Sequence, residues 1–275
     1  DATQVSLGDR APWGGWGHDG SIRFPQVEDT ITAGEVAMRY DLDSAFGLFD
    51  RLDVGVNLTT REKSKFVDDN DLFLLGANRQ QVLVDPQYLV TPTSLDFAGF
   101  GRVLSVNLPA ALGVYYRSAP IRDANFFNKA WDISEDVLTA YATATFDAGP
   151  WRGNLGLQVV GQEQESTGSI IQGSPIVPIT VTRGTDYVDV LPSANVIYDM
   201  GGGHRLRFGA ARVMARPRVE EMRANVTPSF NSIGTGPFTP GQVVHPWRGD
   251  GGNPLLEPWR ANAFDLSYEW YIDRT

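Results

Sequence analysis

A period of two, held over unusually long runs, constrains this chain more than any other feature. From Tyr187 to Met200, Val188, Val190, Pro192, Ala194, Val196, Tyr198 and Met200 fall on one face. Asp189, Ser193, Asn195 and Asp199 fall on the other, with Leu191 and Ile197. Gly201-Gly202-Gly203-His204 turns the chain, and Arg205 to Ala215 alternates again, Leu206, Phe208, Ala210 and Met214 against Arg205, Arg207, Gly209 and Ala211. After a long loop rich in Pro and Gly, Phe264, Leu266, Tyr268, Trp270 and Ile272 form one more apolar face. Alternation over ten or more residues, with one apolar face ending in aromatics, is the pattern of a strand that faces lipid.

Four earlier stretches repeat it: Ile31–Leu42, Arg51–Arg61, Val137–Phe146 and Asn154–Gln164. Between them the links differ in kind. Asp43–Asp50, Asp147–Trp151 and Gly201–His204 are short; residues 62–136, Ser166–Asp186 and the stretch between Ala215 and Phe264 are long. Within the first long link, Glu62–Asp71 breaks the alternation with charge. Residues 72–130 are punctuated by Pro86, Pro92, Pro109 and Pro120, with Gln81–Val84 and Val103–Leu108 as candidate short strands. Residues 1–29 read as a loop.

Short links alternating with long ones, around strands of ten to fourteen residues, predict an all-β, antiparallel transmembrane β-barrel segment with short periplasmic turns and long extracellular loops. Crossing a bilayer takes roughly 9–11 tilted residues. A sandwich strand averages about five to six. The inward faces read as polar but rarely ion-paired, suited to a wet or plugged lumen. Pro192 is the one misfit, a residue without a ladder donor, placed toward the loop end of its strand.

Composition narrows the classes further. A net charge of -10 argues against nucleic acid as a partner. With no cysteine there is no disulfide framework or Cys-based metal site. No apolar run is long enough for a membrane-spanning helix, which leaves a strand-built membrane protein open. His18, His204 and His245 are scattered, and no HExxH, GxSxG, P-loop or dinucleotide fingerprint occurs, so no enzyme, cofactor or metal is expected.

Particular blocks carry a resemblance. Val190-Leu191-Pro192-Ser193-Ala194-Asn195, Leu206-Arg207-Phe208-Gly209-Ala210-Ala211 and Met214-Ala215-Arg216-Pro217 resemble the barrel of TonB-dependent outer-membrane receptors. So does Gly252-Asn253-Pro254-Leu255-Leu256-Glu257-Pro258-Trp259-Arg260-Ala261 running into Phe264–Trp270. The resemblance is concentrated between Trp131 and Ile272. It implies that residues 1–275 are part of a 22-stranded barrel, with the plug domain and the C-terminal strands outside this chain. It also implies residence in the bacterial outer membrane, contact with outer-membrane lipid, and TonB as a partner through the plug. The function implied is active import of a bulky nutrient, an oligosaccharide or similar organic solute, or siderophore–iron. A passive porin and a soluble β-sandwich binding module are the alternatives.

Site residues are expected in two groups. Trp247 with Arg248, Asp250 and His245 is the preferred ligand cluster, and Trp13, Trp16, Tyr115 and Tyr116 are further loop aromatics able to stack on a sugar. Arg216, Pro217, Asn253, Pro254, Glu257 and Pro258 read as a structural clamp at the barrel rim, Pro fixing φ while Gly and Asn accept turn geometry. Arg216 is expected to pair with Glu257 or another rim acid. Phe146, Trp151, Tyr198, Tyr268 and Trp270 fit an interfacial aromatic girdle.

Overall fold

In the computed structural model the chain is described over residues 6–8, 15–42, 48–173, 175–230 and 247–272. In chain order the strands are β1 (Ser6–Leu7), β2 (Gly20–Asp41), β3 (Arg51–Leu74), β4 (Val82–Leu83), β5 (Leu89–Ser94), β6 (Arg102–Val106) and β7 (Tyr116–Pro120). They continue as β8 (Trp131–Ala148), β9 (Trp151–Gln172), β10 (Val177–Gly201), β11 (His204–Ala215), β12 (Val226–Phe230), β13 (Trp247–Gly251) and β14 (Trp259–Trp270). Two short helices, α1 (Leu108–Tyr115) and α2 (Ala124–Lys129), precede β8.

All seven expected strands are present and lie side by side in the order β14-β11-β10-β9-β8-β3-β2. Pairing along the path is antiparallel where its register is resolved, from β14 to β3. One cross-strand row runs Leu52–Ala144–Leu155–Ala194–Ala210–Phe264, each residue opposite the next. This outward row is apolar on six strands, with Leu155 and Phe264 well exposed, as a lipid-facing surface requires. Two residues further along β3 and β8, Val54 and Ala142 remain apolar, whereas the matching pair on β11 and β14 is Arg212 and Asn262. The apolar band therefore slides along the strands as it crosses the sheet, which is what strands tilted to a barrel axis produce.

Five expectations are corrected. The strands are far longer than the apolar alternation: β3 has 24 residues, β9 has 22 and β10 has 25. Charge at Glu62–Asp71 does not end β3. Ser166–Asp186 is not a loop but the continuation of β9 and β10, paired residue for residue from Tyr198↔Trp151 to Val177↔Gln172. Beyond the band the strands leave lipid and polar residues such as Asp69, Gln164 and Ser166 are buried on one face, so alternation of polarity stops while the backbone ladder continues. Residues 20–29, expected in a loop, extend β2 in the same way. The inner face is also rich in ion pairs: Arg39 and Arg51 with Asp53, Arg205 with Asp199, Arg207 with Glu269. Side chains on neighbouring strands meet across the ladder, a contact that one-strand patterns conceal.

Pro192 is another correction. It is followed toward the strand's far end by outward, exposed Val190 and Val188, so it lies within the apolar stretch. The ladder between β10 and β11 starts at Ser193↔Ala211. Proline thus stands where these two strands part, and its missing N–H removes no bond from their ladder.

The chain divides into two compact units, residues 1–26 with 66–126, and residues 27–65 with 127–275. In the first, buried Asp19 accepts from Leu74 N (2.8 Å) and pairs with Arg79 (3.1 Å), while Arg117 lies over the Phe73 ring at 4.4 Å. β5 and β6 form a hairpin of their own. The second unit contains most of the large sheet and the candidate site.

Candidate functional site

The inner face of β3, β8, β9 and β10 carries a cavity of about 690 Å³. Its lining mixes hydroxyls and amides (Asn57, Thr59, Thr139, Tyr141, Thr143, Gln158 and Ser193) with apolar Val137, Leu157, Val160, Leu191, Val213 and Met214, and with Arg212 and Arg216 from β11 and its exit. Tyr141 donates to Glu35 Oε1 at 2.7 Å. Its ring lies over Gly55, its cross-strand partner, where a Cβ would come 2.5 Å from the ring. Ligand pockets commonly span roughly 300–1,000 Å³.

One step along the same inward face, polar residues become fully buried. Glu135, Gln162, Gln164 and Asp189 are each 2–3 % exposed, and Tyr187 is 7 % exposed. Gln162 Nε2 donates to Glu135 Oε1 (3.0 Å) and Gln164 Oε1 (3.1 Å). Three guanidinium groups compensate the acids: Arg216 stands 3.6 Å from Glu135 Oε1, Arg61 3.6 Å from Glu135 Oε2, and Arg260 2.5 Å from Asp189 Oδ1. Arg61 also grips Asp29 through two bonds of 2.8 and 2.7 Å, and Lys63 joins at 3.0 Å. These cations, beyond the apolar band, hold the Asp29 carboxyl well below the usual carboxylate range.

What buries these groups is the chain after β11, folded back onto the inner face. A 3-10 turn at Val219–Met222 inserts Met222, 1 % exposed, against Trp131 and Ile133, with Val219 and Leu256 packed alongside. Asn225 is fully buried, donating to Phe127 O (2.8 Å) and Ala130 O (2.9 Å). Ser166 Oγ donates to Asp132 O and accepts from Ala224 N at 2.9 Å. Gly168 makes this seat possible, since a Cβ there would lie 2.7 Å from Asn225 Oδ1.

The residues expected at a rim clamp lie in and around this arrangement. Gln164 Nε2 donates to Pro254 O (3.0 Å) and Leu256 O (2.9 Å), and Asn253 N to Glu221 O (2.8 Å). Gly252 abuts Arg223 O, which a Cβ would approach to 2.3 Å. Arg216 pairs with Glu135, while Glu257 is taken by Arg260 at 2.9 Å. Pro258 is buried, and Pro217 directly follows Arg216 at the exit of β11.

The expected ligand residues are not gathered into one place. His245 and Trp13 lie outside the described residues. Trp247 begins β13, paired with Phe230, and Arg248 and Asp250 stand 3.6 Å apart on that exposed hairpin. Trp16 is largely exposed. Tyr115 packs in its own loop, its ring edge-on to Tyr88 at 5.7 Å and its hydroxyl accepting from Asp85 N at 2.9 Å. Tyr116 pairs with Leu74, and burial raises its hydroxyl pKa. Sequence reasoning does not single out Glu135, Gln162, Gln164, Tyr187, Asp189, Asn225 or Arg260. One signal was present in the spacing: Gln158, Gln162, Gln164 and Ser166 share one parity of one strand. At the other end of the sheet, Trp151 packs on Tyr198 at 4.4 Å. There too His204, the first residue of β11 rather than a turn residue, stacks on Trp270 at 5.3 Å and bonds Tyr268 at 2.6 Å.

Long tilted strands with an apolar outside, a polar inside and an infolded loop define a wall of an outer-membrane type barrel. The chain belongs to the family described as TonB dependent receptor-like, beta-barrel, whose profile matches residues 2–275. Members of that family are transport receptors of the outer membrane rather than enzymes. No curated protein and no solved structure matches the chain.

Proposed function

We propose that this chain supplies wall strands and loops of an active importer in the bacterial outer membrane. Cargo is a bulky nutrient, and energy comes from TonB acting through a plug domain. The observation that carries the reading is the sidedness of the sheet: apolar outside, and inside a cavity of about 690 Å³ with hydroxyls and amides in its lining, beside a patch buried by an infolded loop. The hydroxyls and amides in that lining suit a polyhydroxylated solute, which favours an oligosaccharide over siderophore–iron. Among the described residues, β2 and β14 each have a neighbour on one side only. In this reading further strands pair with both edges and close the barrel, since open edges would template aggregation.

The test is uptake by cells carrying the full-length receptor, measured with and without the inner-membrane energiser. Import should be lost when the energiser is deleted. Unchanged uptake would refute the energised mechanism and leave a passive pore.

A further inference from the structure

The infolded loop has two parts that are held differently. Residues 219–226 are an anchor: Met222 fills an apolar seat, and Asn225 Nδ2 and Ala224 N–H have their partners, although Asn225 Oδ1 is buried without one. Residues 253–257 are held by Gln164 at Pro254 O and Leu256 O, by Asn253 N donating to Glu221 O, by Leu256 packed beside Met222, and by Arg260 bridging Asp189 to Glu257. Asn253, Leu255 and Glu257 point to solvent.

Beneath this second part the inner face is not satisfied. Glu135 Oε2, Gln162 Oε1, Tyr187 OH and Asp189 Oδ2 are buried and make no hydrogen bond. They belong to one patch: Gln162 is cross-strand from Tyr187 and bonded to Glu135, and Asp189 follows Tyr187 on the same face. Arg260 lies 5.9 Å from the Tyr187 ring. In the seated state these four atoms have given up water and gained no hydrogen bond in return, which costs free energy for each. Lifting residues 253–257 would break these ties and withdraw Leu256 from beside Met222, but would return four polar atoms to water. The dry atoms offset part of the cost of losing those contacts, while the anchor keeps the loop attached.

We propose that residues 253–257 form a releasable cover over the Glu135–Gln162–Tyr187–Asp189 patch, with Arg260 as its latch. The patch then becomes part of the lumen wall only when the cover lifts. This goes beyond the import reading and needs no transport to be measured.

The chain contains no cysteine, so a thiol introduced into it is the single reporter within these residues, and it can be read in the full-length receptor in outer-membrane vesicles. Gln162→Cys reports the patch. Val67→Cys, at a residue only 2 % exposed in the other compact unit, reports global folding. With a membrane-impermeant maleimide, the thiol at position 162 should label slowly in the parent and at least ten-fold faster with Arg260→Ala. The milder Glu257→Gln, which removes one tie only, should give an intermediate rate. The thiol at position 67 should stay protected in all three. Equal labelling rates at position 162 across the three backgrounds would overturn the proposal. So would acceleration at positions 162 and 67 together, since that is unfolding rather than release.

Discussion

Asn225 offers the sharpest test of how the loop is anchored. Its side chain is fully buried, with Nδ2 between Phe127 O at 2.8 Å and Ala130 O at 2.9 Å. Two carbonyl acceptors fix which end of the amide faces them. Asn225→Ala removes both donors. At about 1 kcal/mol for each bond, and up to about 1–3 kcal/mol for a carbonyl left dry, the seated loop should lose about 2–4 kcal/mol. At about 1.4 kcal/mol per tenfold, amide exchange across residues 219–226 should accelerate about 30-fold to several hundred-fold. Asn225→Asp keeps the shape but presents acceptors to acceptors and buries a carboxylate without a donor. It should lose at least a further ~1–3 kcal/mol. Hydrogen exchange with peptide-level resolution, on the receptor in lipid, measures both. If the aspartate variant protects the segment as well as the alanine variant does, donation to Phe127 and Ala130 is not what seats the loop.

The remaining predictions concern the same sheet. Leu157→Arg, on the outward apolar face, should cost about 2–4 kcal/mol in unfolding from phospholipid vesicles, whereas Glu163→Arg on the same face of β9 should stay within about 0.5 kcal/mol; equal costs would contradict the placement of the band. Gly168→Ala drives a Cβ to 2.7 Å from Asn225 Oδ1 and 2.8 Å from its backbone N. It should accelerate exchange over residues 219–226, and less than additively with Asn225→Ala because the two share one contact; strict additivity would argue against that contact. Asp29, held below its ordinary pKa chiefly by bonds from Arg61 and Lys63, contributes stability that is present above the unfolded carboxylate value of about 3.9 and lost only as pH falls through the folded value. Exchange protection at residues 61–63 should therefore survive acidification from about pH 5 to about pH 3, and Asp29→Asn should lower it at every pH; a loss centred near the ordinary carboxylate value of about 4 would refute the pairing.

Legibility in the sequence followed the solvent. Where one face of a strand meets lipid and the other water, as along Leu138–Phe146 and Val188–Val196, a period of two is forced, and these stretches could be read from the residues alone. Where one face meets water and the other buries polar residues such as Asp69 and Ser166, the same ladder leaves no regular hydrophobic trace. That is why Glu62–Asp71 reads as a break and Ser166–Asp186 as a loop, although β9 and β10 stay paired to Gln172↔Val177. The site was hidden by a related effect. Gln162, Gln164 and Asp189 look like ordinary lumen residues, yet they are buried, with Pro254 and Leu256 on Gln164 and Arg260 on Asp189 brought from far along the chain.

That difference bears on function. A lumen wall needs polar side chains, and any hydroxyl or amide facing water would serve. A buried Glu135–Gln162–Gln164 chain with three guanidinium groups around it is more specific than wetting requires. Burying such groups is costly unless each has a partner, and Glu135 Oε2 and Asp189 Oδ2 have no hydrogen-bond donor. A permanently sealed wall would be more stable with apolar residues at these positions. Polar residues are the better choice if the same surface must also face water or a hydroxyl-rich solute for part of the transport cycle. The Gly252–Pro258 block then has a double requirement: backbone close enough to Arg223 O that only glycine fits at 252, and carbonyls at 254 and 256 presented to Gln164. Both serve a segment that must seat in one defined position and leave it again.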